Sequence, residues 1–254
     1  MIGAIIGDVI GSIYEHHNTN DYNFDLFTSK STFTDDTVLT MATIDSLLNN
    51  IDFTTSYKDW ALRYIGRGYG GQFTNWMLSN STEPYNSCGN GSAMRVSPVG
   101  WYYNNLVDTL DKARQSAEVT HNHPDGILGA QITAGCIYLA RNGYSKEYIK
   151  KWVLGHSSYN VDVKLKLIVE FNGLCSNTVP PAIIAFLESE DFESAIRLTI
   201  SAGGDSDTMG AITGAIAEAY YKDIPKYIID ETYSKLPEEM IELLDKFNNK
   251  ICHK

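Results

Sequence analysis

Cysteine is scarce in this 254-residue chain: Cys88, Cys136, Cys175 and Cys252 are widely spaced and form no CxxC pair. Neither a zinc ribbon nor a disulfide framework is indicated, and a reducing, cytoplasmic setting is expected. Positive charge is also in short supply, with Lys and Arg totalling 20 against 31 Asp and Glu, a formal net charge of −11. Bulk electrostatics therefore give no hold on a polyanion, and non-specific nucleic-acid binding is not expected. A small anionic ligand stays open, because helix N-termini and glycine-rich loops hold phosphate without a basic surface. Long apolar runs are missing too. The most apolar stretch, Met1 to Tyr14, carries Asp8 in its middle and lacks a basic leader, and it falls short of the ~20 apolar residues of a membrane span. It reads as a buried core helix, with no membrane partner expected.

Strand alternation, internal repeats and low-complexity linkers are likewise absent, so one all-α domain over residues 1–254, acting as a monomer, is the economical expectation. Ile2, Ile5, Ile6, Val9 and Ile13 fall at helical steps, and Gly3, Gly7 and Gly11 form a second stripe on the same segment. Each glycine inside a helix costs about 1 kcal/mol relative to alanine, so three in register imply a second backbone packed closely against them. Further helices are expected over residues 36–48, 55–65, 106–120, 125–140, 146–154, 161–171, 180–188, 192–201, 206–221 and 237–247. Asp191 stands as an N-cap, and Pro124 and Pro180 stand where a first helical turn tolerates proline.

Two acidic clusters each open a helix: Thr34-Asp35-Asp36-Thr37 and Asp205-Ser206-Asp207-Thr208. A helix dipole accommodates one anion at such an end, and Asp205 taken alone reads as a cap. Two carboxylates plus a hydroxyl exceed what capping requires. Close carboxylates repel unless a proton or a cation lies between them, and Asp and Thr oxygens suit Mg²⁺ or Mn²⁺. Each cluster supplies half an oxygen shell, and together they match a site for two ions sharing a carboxylate.

Three other segments bear on chemistry. Gly66-Arg67-Gly68-Tyr69-Gly70-Gly71 matches GxGxxG, yet it follows a helical pattern and has no βαβ context, so it reads as a flexible loop rather than a dinucleotide site. Cys88-Gly89-Asn90-Gly91-Ser92-Ala93-Met94-Arg95 places small residues ahead of a helix, either as a phosphate-holding loop or as a tight Asn-Gly turn. Thr120-His121-Asn122-His123-Pro124 carries two histidines at i and i+2, poor spacing for zinc. It reads as a helix cap with one functional histidine.

Taken in order, Gly7-Asp8-Val9-Ile10-Gly11-Ser12-Ile13-Tyr14-Glu15, Phe33-Thr34-Asp35-Asp36-Thr37, Gly89-Asn90-Gly91-Ser92-Ala93-Met94-Arg95, Thr120-His121-Asn122 and Gly203-Gly204-Asp205-Ser206-Asp207-Thr208 resemble the ADP-ribosylglycohydrolase family. The resemblance implies an all-α, roughly orthogonal helical bundle with two Mg²⁺ or Mn²⁺ ions at the base of an ADP-ribose cleft. It implies Thr34, Asp35, Asp36, Asp205, Asp207 and Thr208 as metal ligands, with Asp207 as the bridge. Glu15, Asp36 and Asp205 are its catalytic candidates, Glu15 or Asp205 handling the proton. For substrate it implies Gly89, Asn90, Gly91 and Ser92 at the diphosphate and adjoining ribose, His121 nearby, and Tyr69, Gly70 and Gly71 on the adenosine side.

The expected activity is release of ADP-ribose from a modified protein or a small conjugate, by cleavage at C1″, with arginine favoured over serine or other acceptors. Two rivals stand beside it. One is a catalytically silent binding or structural member of the family. The other is a metal-dependent nucleotide pyrophosphohydrolase, a class that carries paired Glu-x-x-Glu sets where this chain has Asp-rich helix starts.

Overall fold

A computed structural model describes residues 1–168 and 170–252. Among the described residues there are fourteen helices and no strand: α1 (Gly3–Gly11), α2 (Asp35–Asn49), α3 (Phe53–Arg63), α4 (Gly71–Leu78), α5 (Gly91–Met94), α6 (Ser97–Tyr102), α7 (Leu106–Glu118), α8 (Pro124–Arg141), α9 (Lys146–His156), α10 (Cys175–Glu188), α11 (Phe192–Ser201), α12 (Ser206–Tyr221), α13 (Lys226–Tyr233) and α14 (Glu238–Cys252). The all-α expectation holds. Local chemistry marks many of the starts: Asp52, Asn105 and Ser145 each accept a backbone N–H as N-caps, and Asp191 forms a reciprocal capping box with Ser194. No helix among the described residues is long and apolar enough to cross a membrane.

α12 is the axis of the bundle. From Ser206 to Ala219 every residue is buried, and α1, α8, α10 and α11 pack around it, which is why its sequence is apolar and small on all sides. α1 is equally buried and lies directly on α12 through the glycine stripe. A Cβ on Gly3 would fall 2.2 Å from the Gly214 carbonyl oxygen, one on Gly7 1.9 Å from that of Gly210, and one on Gly11 2.5 Å from the Asp207 Cα. The second backbone implied by the stripe is therefore α12. The α1 N-terminus ends on the same partner, where the Glu218 carboxylate accepts the Ile2 and Gly3 N–H groups at 2.7–2.9 Å.

Three expectations need correction. The helix expected over 161–171 does not form: its described residues run as bends and extended chain, with residue 169 outside the described set. The Ile168 N–H goes to the Ala202 carbonyl at 2.6 Å instead of back along a helix, so the apolar spacing reflected contact on one side of a loop. α10 begins at Cys175 rather than Pro180, with Pro180 and Pro181 inside it. The glycine segment expected as a loop over 66–71 is one only as far as Gly70, because Gly71 opens α4. Sequence reading also passed over α4, α5, α6 and α13, which are short or have little amphipathic contrast.

Candidate active site and metal centre

The glycine contact between α1 and α12 brings three helix segments to one point. α1 carries Asp8, fully buried in the middle of its apolar run. Its Oδ1 accepts the Thr34 hydroxyl at 2.7 Å, and its Oδ2 accepts the N–H groups of Thr34 at 3.0 Å and Thr37 at 3.1 Å together with the Thr37 hydroxyl. Asp8 thus serves as the anion at the N-terminus of α2, reaching it from another helix. That role frees the carboxylates of α2 itself. Burial pushes the Asp8 carboxyl up, and the four Thr donors pull it back down.

Asp36, in the first turn of α2, is 2% exposed. Its Oδ2 lies 3.3 Å from the hydroxyls of both Thr34 and Thr208. The single Thr34 proton is committed to Asp8 at the shorter distance, so Thr208 is the remaining donor. Asp36 Oδ1 is buried with no hydrogen-bond partner. An orphaned carboxylate oxygen in the interior is costly unless a proton or cation meets it.

On α12, Asp205 occupies the N-cap position yet makes no capping bond. Its Oδ2 accepts Asn90 Nδ2 at 2.7 Å instead, so the simple cap reading of Asp205 fails. Asp207 follows in the first turn, with Oδ1 taking the Thr208 N–H at 2.9 Å.

These carboxylates fall into two groups, Asp8–Asp36–Asp207 and Glu15–Asp205–Asp207, and within each the oxygen atoms lie within 4.8 Å of one another. Asp207 belongs to both. Among the described residues the one ion pair made by any of them is Glu15 with the exposed His16, at 3.7 Å. Burial, followed by repulsion from Asp8, pushes the Asp35 and Asp36 carboxyls well above the ordinary range; burial and then Asp36 do the same to Asp207. Glu15 is raised by burial and by Asp205. An all-oxygen donor set with an orphaned oxygen and uncompensated negative charge fits hard divalent cations.

All of these carboxylates except Asp8 line a cleft of about 310 Å³. Glu15, Asp35, Asp36, Asp205, Asp207 and Thr208 line it, as do Gly70, Gly71, Gly89, Asn90, Gly91 and His121. Asp35 faces the cleft but joins neither three-carboxylate group. Three candidates sit behind the lining. Thr34 is the N-cap of α2 and ties Asp8 to it. The Ser92 hydroxyl is fully buried and donates to the Gly126 carbonyl at 2.6 Å, fastening α5 to α8. Tyr69 stacks on Phe73, ring centroids 5.4 Å apart, with its own hydroxyl unpartnered. Of the two neighbouring histidines, His123 caps α8 by accepting the Asp125 N–H, and His121 faces the cleft.

Sequence reading gave no role to Asp8, Arg95, Tyr85, Phe171 or Gly173, all at or beside the cleft. The usable signal for Asp8 was a lone carboxylate in an apolar helix, which demands buried partners. Phe171 and Gly173 were hidden inside or beside the helix wrongly expected at 161–171.

The starts of α2 and α12, with Glu15 just after α1, deliver carboxylates to one shared cleft. The ADP-ribosylglycohydrolase family model matches residues 1–253, and the chain belongs to that family: it is an enzyme, a hydrolase of glycosidic bonds. It is similar to ADP-ribosylhydrolase ARH3 of Homo sapiens, at 29% identity over 87% of this chain and 84% of that protein. It is also similar to ADP-ribosylarginine hydrolase Tri1 of Pseudomonas putida (strain GB-1), at 23% identity over 87% of this chain and 69% of that one. Among solved structures, an ADP-ribosylglycohydrolase-related protein complex aligns with a TM-score of 0.79 and 25% identity, covering 98% of this chain and 95% of its own.

Proposed function

We propose that this enzyme releases ADP-ribose from a modified acceptor by hydrolysis at C1″, using two Mg²⁺ or Mn²⁺ ions, and that arginine is its preferred acceptor. The observation that carries the reading is the pair of three-carboxylate groups sharing Asp207, which lines the cleft. Thr34, Asp35, Asp36, Asp205, Asp207 and Thr208 would hold the ions, with Asp207 common to both and Asp8 positioning the Thr34 end. When bound, the ions supply Lewis-acid stabilisation of charge developing on the distal ribose.

The chain's own groups do the rest. Glu15, on the segment leaving α1, reaches the cleft with its side chain 24% exposed, and burial and Asp205 raise its pKa, the direction that suits a proton donor. Asp205 is the alternative proton handler, though Asn90 already holds one of its oxygens. Gly89, Asn90, Gly91 and His121 would meet the diphosphate and its ribose, and Gly70 and Gly71 the adenosine side. Ser92 and Tyr69 would act from behind, by fixing those walls. The arginine preference is supported by Glu15 and the half-exposed Phe171 ring, both of which line the cleft. A planar guanidinium suits an anionic and aromatic lining better than a serine hydroxyl does.

The test is a panel of ADP-ribosyl conjugates on arginine, on serine and on small molecules, assayed with Mg²⁺, with Mn²⁺ and with chelator. Free ADP-ribose, fastest from arginine and lost with chelator or in Asp207→Asn, is the expected result. Faster release from serine overturns the acceptor. AMP plus ribose phosphate identifies a pyrophosphohydrolase, no product with either ion identifies a silent member, and full activity in chelator overturns the two-ion site.

A further inference from the structure

Two buried side chains in the cleft wall have no part in holding a cation or meeting the acceptor: Arg95 and Thr120. The Arg95 guanidinium is completely buried over the Tyr57 ring at 4.0 Å. Its Nη2 donates to the Ser116 carbonyl at 3.0 Å and to Thr120 Oγ1 at 2.7 Å. Thr120 Oγ1 in turn lies 2.7 Å from Nδ1 of His121. The three groups form a line from the interior to the cleft.

The direction of the line follows from the charge at its inner end. A guanidinium only donates, so Thr120 spends a lone pair on Arg95. The one Thr120 proton is left for His121 Nδ1, which accepts it. The positive charge behind Thr120 favours the same orientation, since it attracts the imidazole lone pair and repels an N–H. The imidazole's own proton is thereby left on Nε2. That atom faces the glycine wall, 3.0 Å from where a Cβ on Gly91 would lie and 3.6 Å from one on Gly89. Burial, and then Arg95, hold the His121 pKa well below the ordinary histidine value, which keeps the ring neutral.

We propose that Arg95 and Thr120 are positioning residues that lock His121 as the neutral Nε2–H tautomer, a charge-neutral donor to a phosphate oxygen lying along the Gly89–Gly91 wall. Identifying that oxygen as part of a diphosphate rests on the ADP-ribose reading; the tautomer does not. A neutral donor fixes the ligand without titrating, so this contact is insensitive to pH through neutrality.

Long-range proton–nitrogen correlation spectra of the full chain with Mg²⁺, assigned by difference against His121→Gln, read the tautomer with no ligand present. A bare Nδ1 and a protonated Nε2 are expected, unchanged across neutral pH. Thr120→Val removes the hydroxyl at constant shape; it should release the tautomer and weaken ADP-ribose binding by calorimetry by about threefold to tenfold, the worth of one hydrogen bond. Thr120→Ser should restore both. A protonated Nδ1 in the wild-type spectrum overturns the proposal whether or not the valine variant folds, as does a folded valine variant with unchanged spectrum and affinity. The expected tautomer in a protein that does not bind ADP-ribose overturns the ligand reading and leaves the lock in place.

Discussion

Gly7→Ala tests whether the α1–α12 contact builds the site. The added Cβ would lie 1.9 Å from the Gly210 carbonyl oxygen and 2.1 Å from its carbon, whereas ordinary contact begins at 3.4 Å. The neighbour is backbone, so no side chain can swing away; the helices must part by roughly 3.4 − 1.9 = 1.5 Å. Overpacking of this kind costs about 1–3 kcal/mol or more, against about 1 kcal/mol returned by the better helix propensity of alanine. The functional effect should be larger than the loss of stability. Asp8 is the next residue on α1 and Asp207 the partner it must meet, and metal sites tolerate ligand displacements of only about 0.2 Å. Gly7→Ala should therefore stay helical by circular dichroism, melt a few degrees early, and lose the thermal shift that Mg²⁺ or Mn²⁺ gives the wild type. Gly155→Ala is the control, since a Cβ there meets nothing within 4 Å, and it should melt at or slightly above wild type. A Gly7→Ala protein with wild-type melting temperature and undiminished cation response would refute the link from glycine stripe to metal site.

Other predictions concern the carboxylates directly. Because Asp35, Asp36 and Asp207 titrate higher in the folded chain than unfolded, the fold holds protons that the unfolded chain has released. Stability in chelator is then greatest at low pH and falls as pH rises above the ordinary carboxylate pKa of about 4, measured by thermal scanning; a flat or rising curve would contradict the crowding. A cation at about a hundredfold over its Kd should return about 2.7 kcal/mol, on the order of 5–10 °C for a chain of this length, with the largest gain at high pH. Asp36→Asn should stabilise the chelated protein near pH 8, where it removes a buried charge, while shrinking that cation response. Asp8→Asn replaces an acceptor of four donors by an amide that can accept through one oxygen only, and should cost about 2–5 kcal/mol in denaturant melts. A loss under 1 kcal/mol, read against the usual flag of about 0.5 kcal/mol for a neutral surface change, would mean that Asp8 does not hold the start of α2.

Much of this was legible without coordinates because the signals were periodic or chemically expensive. Three glycines at four-residue steps in an isoleucine-rich helix announced a close partner, though not which one: Gly210 and Gly214 on α12 carry the matching spacing and drew no notice. That the two acidic helix starts converge was legible because paired carboxylates exceed what a helix cap requires. Asp8 was quoted within a motif and given no task, because a side chain acting across 26 residues on Thr34 leaves no local pattern. The roles of Arg95 and Thr120, which also stand within motifs, leave no local pattern for the same reason. Their meaning lies in a chain of donors through space, and sequence spacing carries no information about which way a hydroxyl proton points.

The segment between α9 and α10 shows why a local rule fails near a site. Val161, Leu165 and Ile168 keep helical steps, and a helix there would have hidden its apolar face and satisfied its own backbone. Instead Ile168 gives its N–H to Ala202, just before the Gly203-Gly204 turn that aims Asp205, and Gly173 gives its carbonyl to the Asn90 N–H at 2.8 Å. Both bonds tie the loop to the two backbones flanking the Asn90–Asp205 contact. A helix spends its N–H and C=O groups within itself, so it could not have braced both. The cost is visible in Leu167 and Phe171, which stand more than half exposed where a packed helix would have covered them. Local preference is overridden here because the bracing of Asp205 needs free backbone groups, and conflicts between local pattern and final structure gather at such places.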